Sequence, residues 1–338
     1  MKRPTIADIA RHAGVSKVAV SYALNGQAGV SEATRATILA IAAEIGWRPN
    51  SAARALNDAR ARTIGLALCR PARVLGMEAF FMELISGIES ELSVRSYALM
   101  LQIVADHDQE TALYQRWWGE GRVDGAFLLD LHFDDLRVRD LAASNMPVVV
   151  IGHPSEAGAL ASVWSDDGAA VRETVEYLAA LGHRRIARVA GLPKLVHTAL
   201  RDQAFAASCD GLGLSGHVTV HTDYTGEEGA RATRRLLSSP DRPTAIVYDN
   251  DITAVAGLSV AQEMRLDVPR DLSIVAWDDS PLSQVVRPAL TALSRDVSAY
   301  GAHAAQRLLA LIDGGPVSSF EDQAARLTTR GSTGPPPA

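Results

Sequence analysis

The chain has 338 residues, is 47% hydrophobic and 21% charged, and carries a net charge of −6. These values describe an ordinary globular protein with room for a small domain and a larger two-part body. Cys69 and Cys209 are its two cysteines, which fits a reducing compartment and gives no metal site. The start, MKRPTIAD, has no apolar core of signal-peptide length, and no apolar run reaches about 18 residues, so a cytoplasmic protein is expected.

Charge is uneven along the chain. Residues 1–62 hold nine Lys or Arg against four Asp or Glu, whereas the remainder holds 24 against 35. A basic head on an acidic body is the footprint of a local phosphate-binding surface.

The head reads as three short helices. Thr5 and Asp8 have capping-box-like spacing, Ile6, Ile9, Ala10 and Ala13 recur at helical spacing, and Gly14 is a stop. Ser16 caps a second helix from about Lys17 to Leu24, which Asn25-Gly26 ends. Ser31 caps a third, whose apolar stripe is Ile38, Ile41, Ala42 and Ile45 and whose stop is Gly46. The pattern predicts a helix-turn-helix domain over residues 1–46. Val20, Ala23 and Leu24 face inward, leaving Lys17, Val18, Ser21 and Tyr22 outward. Such a face suits base edges and phosphates in a major groove. Thr5, Ser16 and Asn25, at the helix ends, complete the expected DNA-contact set. The competing reading is a plain three-helix bundle with a solvated face.

Residues 47–61 are expected to form a hinge. Pro49 keeps Arg48 extended, and Asn50 can cap a helix of about two turns. That is shorter than the ~12 residues at which isolated helices become marginal, so it should fold only against a partner. Ala53 permits close approach, Arg54 reaches phosphate, and Leu56 is an apolar wedge of the kind that opens a minor groove. The alternative is a simple interdomain linker.

In order, DIARHAGVS, VS, LNG, VSEATR, IGWRPN, ARAL and RTIGLAL resemble the opening of LacI/GalR family transcription regulators. The resemblance extends over essentially the whole chain. It implies a homodimer that reads a near-palindromic operator, with paired hinge helices whose Leu56 residues open the central minor groove. It also implies a body like a periplasmic sugar-binding protein without its signal peptide. One departure stands out: many members carry Thr-Val-Ser-Arg where this chain has Ala19-Val20-Ser21-Tyr22, so the operator at that position does not carry over.

From Thr63 the pattern changes to strands alternating with helices, which predicts parallel sheets. Strands are expected at 64–68, 98–104, 123–129 and 147–151, then 162–164, 218–220, 244–248 and 272–276, with another in LGHRRIARVAG and a last one near 325–329. Intervening helices are expected at about 80–94, 110–119, 169–181, 201–209 and 227–237, with a long one ending at Leu311. The body therefore spans 62–330. The resemblance places lobe 1 at about 62–162 and 294–322 and lobe 2 at about 163–293 and 323–330. Residues 331–338 are expected to be a disordered tail.

Ligand should sit between the lobes, at the C-terminal ends of the parallel strands. The expected effector residues are Phe81, Asp130, Trp164, Asp166, Arg201, Tyr224, Asn250, Trp277 and Asp278. The resemblance implies that Arg201 and Asp278 hold polar ligand groups and that Asn250 makes a ligand or interlobe contact. Bland alternatives are a helix cap for Asp166 and a core position for Phe81. Arg201→Ala is expected to abolish ligand response and leave folding and DNA binding intact. Gly211–Gly216 spells GxGxxG but follows a helix and precedes a strand, so it is not a dinucleotide loop. His183 is expected to be a helix-end cap. No catalytic constellation and no cofactor site are expected.

The leading reading is therefore a ligand-responsive transcription regulator, most often a repressor in families of this kind. Its partners would be double-stranded operator DNA, a small polar molecule such as a sugar, and a second copy of the chain, with no membrane. The rivals are a cytoplasmic solute-binding module and an enzyme on a Rossmann-like scaffold.

Overall fold

The computed structural model describes residues 4–48, 60–70, 75–214 and 216–337. The chain divides into two compact units, Met1–Ala61 and Arg62–Ala338. The expected hinge contacts Asn50, Ala53, Arg54 and Leu56 lie outside the described residues. Among those described, no helix is long and apolar enough to cross a membrane.

In the first unit, α1 (Ile6–Ala13), α2 (Lys17–Leu24) and α3 (Glu32–Glu44) form as their sequence punctuation requires. The Asp8 carboxylate accepts from the Thr5 backbone N–H at 2.9 Å and from its hydroxyl at 2.7 Å. Gly14 adopts a left-handed φ of 66° and ends α1. The Ser16 and Ser31 hydroxyls accept from the N–H of Ala19 and Thr34, so each satisfies an otherwise orphaned donor. Ile9, Ala10, Val20, Ala23, Ile38 and Ala42 make the core, with Trp47 packed on it.

The second unit contains two six-stranded sheets. Its elements begin β1 (Thr63–Leu68), α4 (Ala79–Val94), β2 (Ala98–Ile103), α5 (His107–Gly119), β3 (Gly125–Leu129), α6 (Leu136–Ala143), β4 (Val148–Ile151) and β5 (Ala161–Ser165). They continue with α7 (Asp167–Ala180), β6 (Ile186–Ala190), α8 (Val196–Gly211), β7 (Val218–His221), α9 (Gly226–Leu237), β8 (Ala245–Tyr248) and α10 (Asp251–Glu263). Last come β9 (Ser273–Trp277), α11 (Pro281–Val285), β10 (Thr291–Ser294), α12 (Val297–Ile312), β11 (Phe320–Asp322) and β12 (Arg326–Thr328).

One sheet has the order β11-β5-β4-β3-β1-β2 and the other β12-β10-β9-β8-β6-β7. All pairings are parallel except β12 on β10. Central strands such as Val148–Ile151 are buried throughout because helices cover both faces, so they read as unbroken apolar runs. In lobe 1, α4 crosses α12 at backbone contact. A Cβ on Gly87 would sit 1.8 Å from the Ser298 carbonyl oxygen, and one on Gly301 would sit 2.3 Å from that of Leu84. Only glycine permits that approach.

Four sequence expectations need correction. β5 pairs with β4 through Val163 and with β11 through Ser165, so lobe 1 extends past the expected boundary at residue 162. The helix carrying Arg201 begins at Val196, so Arg201 sits in its second turn and does not open it. The tail is not disordered against solvent but is packed on lobe 2. Ser332 is fully buried, its carbonyl accepts from Ile274 N–H, and its hydroxyl accepts from Thr291 N–H and donates to the Ile274 carbonyl. Thr333 bonds Tyr177 and Thr291 at 2.8 Å each. His183 belongs to this knot: its ring meets Thr244, Ser273 and the Gly334 carbonyl, so it ties the tail down where a helix cap was expected.

Candidate functional site

The head presents its expected face. Lys17 is exposed, Val18 is 59% exposed and Tyr22 is 39% exposed, while Ser21 is half-buried. Part of Tyr22 is already used, because its ring lies against Gly29. Asn25 donates to the Ser21 hydroxyl at 3.3 Å, and Thr5 and Ser16 serve their own helix ends. Arg35 donates to the Gln27 carbonyl at 2.8 Å and so anchors the loop beside the recognition face.

In the body, a cavity of about 410 Å³ lies between the two sheets, at the C-terminal ends of β3, β5 and β9. Phe81, Asp130, Asp166, Arg201, Tyr224, Asn250, Trp277 and Asp278 all line it. Trp164 does not. It sits on the strand face away from the Val163 core and packs edge-on against His153 at 4.7 Å, and His153 reaches the cavity in its place. Asp166 lines the mouth and also caps α7, accepting from Ala169 N–H at 2.9 Å.

The charged side chains are interlocked. Arg70 donates to both oxygens of Asp130, at 2.8 and 3.0 Å. Burial alone would raise the Asp130 carboxyl, but the Arg70 guanidinium outweighs it and holds that carboxyl well below the usual range. Arg201 donates to Asp167 from Nε and a terminal nitrogen, and its guanidinium lies 3.6 Å from the centre of the Trp277 ring. Asp167 is likewise held low against burial by Arg201 and Arg295. Behind this wall, fully buried Arg188 pairs with Asp249 and Asp202. Arg201→Ala would therefore strip a buried carboxylate of its main partner, so folding cannot be indifferent to it.

Backbone geometry aims the site. Asp130, Tyr224 and Asp278, each just past a strand end, have left-handed φ values of 53°, 67° and 68°. Aspartate tolerates that conformation, whereas for tyrosine it is strained, as functional sites often are. The Tyr224 ring occupies the space where a Cβ on Gly191 would lie, and its hydroxyl meets His197 at 2.9 Å. Burial, reinforced by Arg201, lowers His197 to about 4, so this imidazole is neutral.

Glu78 and Asn250 connect the lobes. Asn250 caps α10 through its amide oxygen and donates from its amide nitrogen to Glu78 at 3.3 Å and to the Tyr224 carbonyl at 3.1 Å. Burial pushes the Glu78 carboxyl up to about 7 and the Asp278 carboxyl up to about 6. Sequence reasoning missed Arg70, Glu78, His197 and Arg295, and left Asp167 out of the expected set. Arg70 and Asp167, each two residues past a strand end, carried a positional signal of the kind used for Asp130. Among the described residues, no group of three or more His, Cys, Asp or Glu is placed to hold a metal.

Fold and site define a two-lobed α/β ligand-binding body on a chain that begins with a helix-turn-helix head. Residues 5–50 match the model for bacterial regulatory proteins of the lacI family, and residues 175–333 match that for a periplasmic binding protein-like domain. Catabolite control protein A of Priestia megaterium is 32% identical over 90% of this chain and 91% of its own length. A crystal structure of the Lac repressor dimer bound to operator and the anti-inducer ONPF has a TM-score of 0.87 at 25% identity, covering 98% of this chain and all of that one. The transcriptional regulator CelR in complex with cellobiose has a TM-score of 0.73 at 28% identity, over 98% of this chain and all of that one. The chain belongs to the LacI family: it is a DNA-binding transcription regulator and not an enzyme.

Proposed function

We propose that this protein is a cytoplasmic repressor that binds a near-palindromic operator as a homodimer and is switched by a sugar or related polar metabolite in the cleft of its body. The observation that carries the reading is the cleft itself. Aromatic faces from Phe81, Tyr224 and Trp277 stand beside hydrogen-bonding groups from both lobes, an arrangement that suits a polyhydroxylated ring. The CelR complex holds cellobiose, which supports the same ligand class.

In this reading Lys17, Val18, Ser21 and Tyr22 read the major groove, with Thr5, Ser16 and Asn25 at its edges. Asn50, Ala53, Arg54 and Leu56 form the minor-groove hinge. Exposed Leu101 and Ile103 on edge strand β2, with Met82 and Val94 on α4, offer apolar surface to a second copy; the Lac repressor structure is that of a dimer, which supports a homodimer here. Ligand would shift the lobes and thereby the paired hinges, with coupling of about 1–3 kcal/mol.

The test has two stages. Thermal melting against mono- and oligosaccharides, sugar phosphates and nucleosides should find a compound that raises the melting temperature. A ligand at about 100 times its Kd stabilises by ~2.7 kcal/mol. The hit should then change operator affinity by roughly 5- to 150-fold. A hit with no effect on operator binding would refute the switch. Leu56→Ala should lose specific operator binding with the body's melting temperature unchanged, and normal operator affinity would sink the wedge role.

A further inference from the structure

A second cavity, of about 390 Å³, lies on lobe 1 between the start of α5 and the loop from β3 to α6. Two imidazoles line it: His107 opens α5, and His132 lies three residues past β3. We propose that these two rings bind one divalent transition-metal ion, and that the ion stiffens the backbone bridge to lobe 2 that His132 makes. The Nε2 atoms of the two rings are 3.1 Å apart. Two nitrogens each ~2.0–2.1 Å from one ion lie about 2.9 Å apart at a right angle and about 3.3 Å apart at a tetrahedral one. The observed spacing falls between the two. The rings meet edge to face at 88°, so neither covers the other.

The neighbours set the tautomer. The Glu110 carboxylate accepts from Arg137 at 2.7 Å and lies 3.0 Å from His107 Nδ1. An ionised carboxylate only accepts, so Nδ1 carries the proton and Nε2 of the neutral ring keeps a lone pair. A carboxylate behind the far nitrogen is the usual support of a metal-bound histidine. Without an ion, His132 Nε2 donates to that lone pair. With one, its proton moves to its own Nδ1 and both Nε2 atoms bind the ion. Four aspartates and one arginine line the cavity, and that arginine, Arg137, is already paired with Glu110 and Asp135, so the surroundings favour a cation. Among the described residues no third His, Cys, Asp or Glu completes a cluster, so water fills the remaining positions. Imidazole ligands select Cu²⁺, Ni²⁺ or Zn²⁺ over Mg²⁺ or Ca²⁺. The site also bears on the lobe contact. His132 pairs with Leu195 of lobe 2 in an antiparallel bridge, and Val196 N–H donates to the Leu131 carbonyl at 2.9 Å. Arg137 donates to the carbonyl of Asp130, a wall of the effector cleft, at 2.8 Å. An ion that fixes the His132 ring holds the chain that reaches across.

The experiment uses the full chain, stripped with EDTA and titrated with Zn²⁺, Cu²⁺ and Mg²⁺ in a calorimeter. Zn²⁺ should bind, Cu²⁺ more tightly, and Mg²⁺ not at all at the same concentrations. His107→Gln and His132→Gln should each weaken Zn²⁺ binding roughly 10-fold or more, and their melting curves report that each is folded. A second readout needs no variant: the electron paramagnetic resonance spectrum of the Cu²⁺-loaded chain should show coupling to two imidazole nitrogens. Hydrogen exchange at the Val196 amide, which donates across the bridge, should slow roughly 10-fold when Zn²⁺ is added. Absence of Zn²⁺ binding at sub-millimolar concentration, a Cu²⁺ spectrum without nitrogen coupling, or unchanged affinity in both variants overturns the site. Zn²⁺ binding that leaves Val196 exchange unaltered overturns the link to the bridge. No effector is added in these measurements, so their failure is distinct from failure of the effector reading.

Discussion

Glu78→Gln should make the ligand-free protein more stable, and only above acidic pH. Burial pushes the Glu78 carboxyl from its ordinary 4.5 up to about 7, against the opposing pull of Arg70 and the Asn250 amide and with Asp130 and Asp278 adding repulsion. Between those two values the folded chain keeps a proton that the unfolded chain releases. Wild-type stability therefore falls as pH rises through that window and levels off above it. At about 1.4 kcal/mol per pH unit, the loss attributable to this one group reaches about 3 kcal/mol. Glutamine keeps the shape and still offers an oxygen to Asn250, so the interlobe bond survives while the charge is gone. Urea denaturation of wild type and variant at pH 4, 6 and 8 should give equal stability at pH 4 and a variant advantage approaching about 3 kcal/mol at pH 8. In melting temperature the advantage is roughly 6 °C. A difference independent of pH, or a variant less stable at pH 8, would refute the account of a buried, poorly compensated carboxylate.

Other substitutions probe the remaining contacts. Arg201→Ala leaves Asp167 buried without its two-point partner, whereas Asp249 keeps Arg188; chemical denaturation should show a loss of about 3–5 kcal/mol, and a loss below about 1 kcal/mol would show that the pair is solvated. Ser332→Ala removes a fully buried hydroxyl that serves Thr291 and Ile274 and should cost about 1–3 kcal/mol. Melting at the wild-type temperature would mean that the tail is dispensable. Lys17→Ala should weaken operator binding and lower the slope of log affinity against log salt by about one. An unchanged slope in a filter-binding titration would place Lys17 off the DNA.

Much of this protein was legible in the sequence because much of it is fixed locally. A serine whose hydroxyl accepts from the N–H three residues on, a glycine that can turn left-handed and apolar residues every third or fourth position determine α1, α2 and α3 whatever surrounds them. The alternation of strands and helices likewise gave two parallel sheets, and residues just past strand ends supplied most of the cleft. Periodicity did not say which sheet β5 would join, and that choice turned Trp164 out of the cavity.

What the tertiary structure alone decided involves partners far apart in the chain. Glu78 reads as an ordinary surface acid until the fold brings Asn250, 172 residues away, against it. The terminal GSTGPPPA has a disordered composition, yet Tyr177, His183, Ser273 and Thr291 hold it because its hydroxyls and carbonyls complete hydrogen bonds that lobe 2 leaves open. Arg201 was expected from the sequence to hold a polar ligand group. Its neutralisation by Asp167, and with it the balance of charge that a ligand meets, follows from burial, which forces each charge to find a partner wherever the fold supplies one.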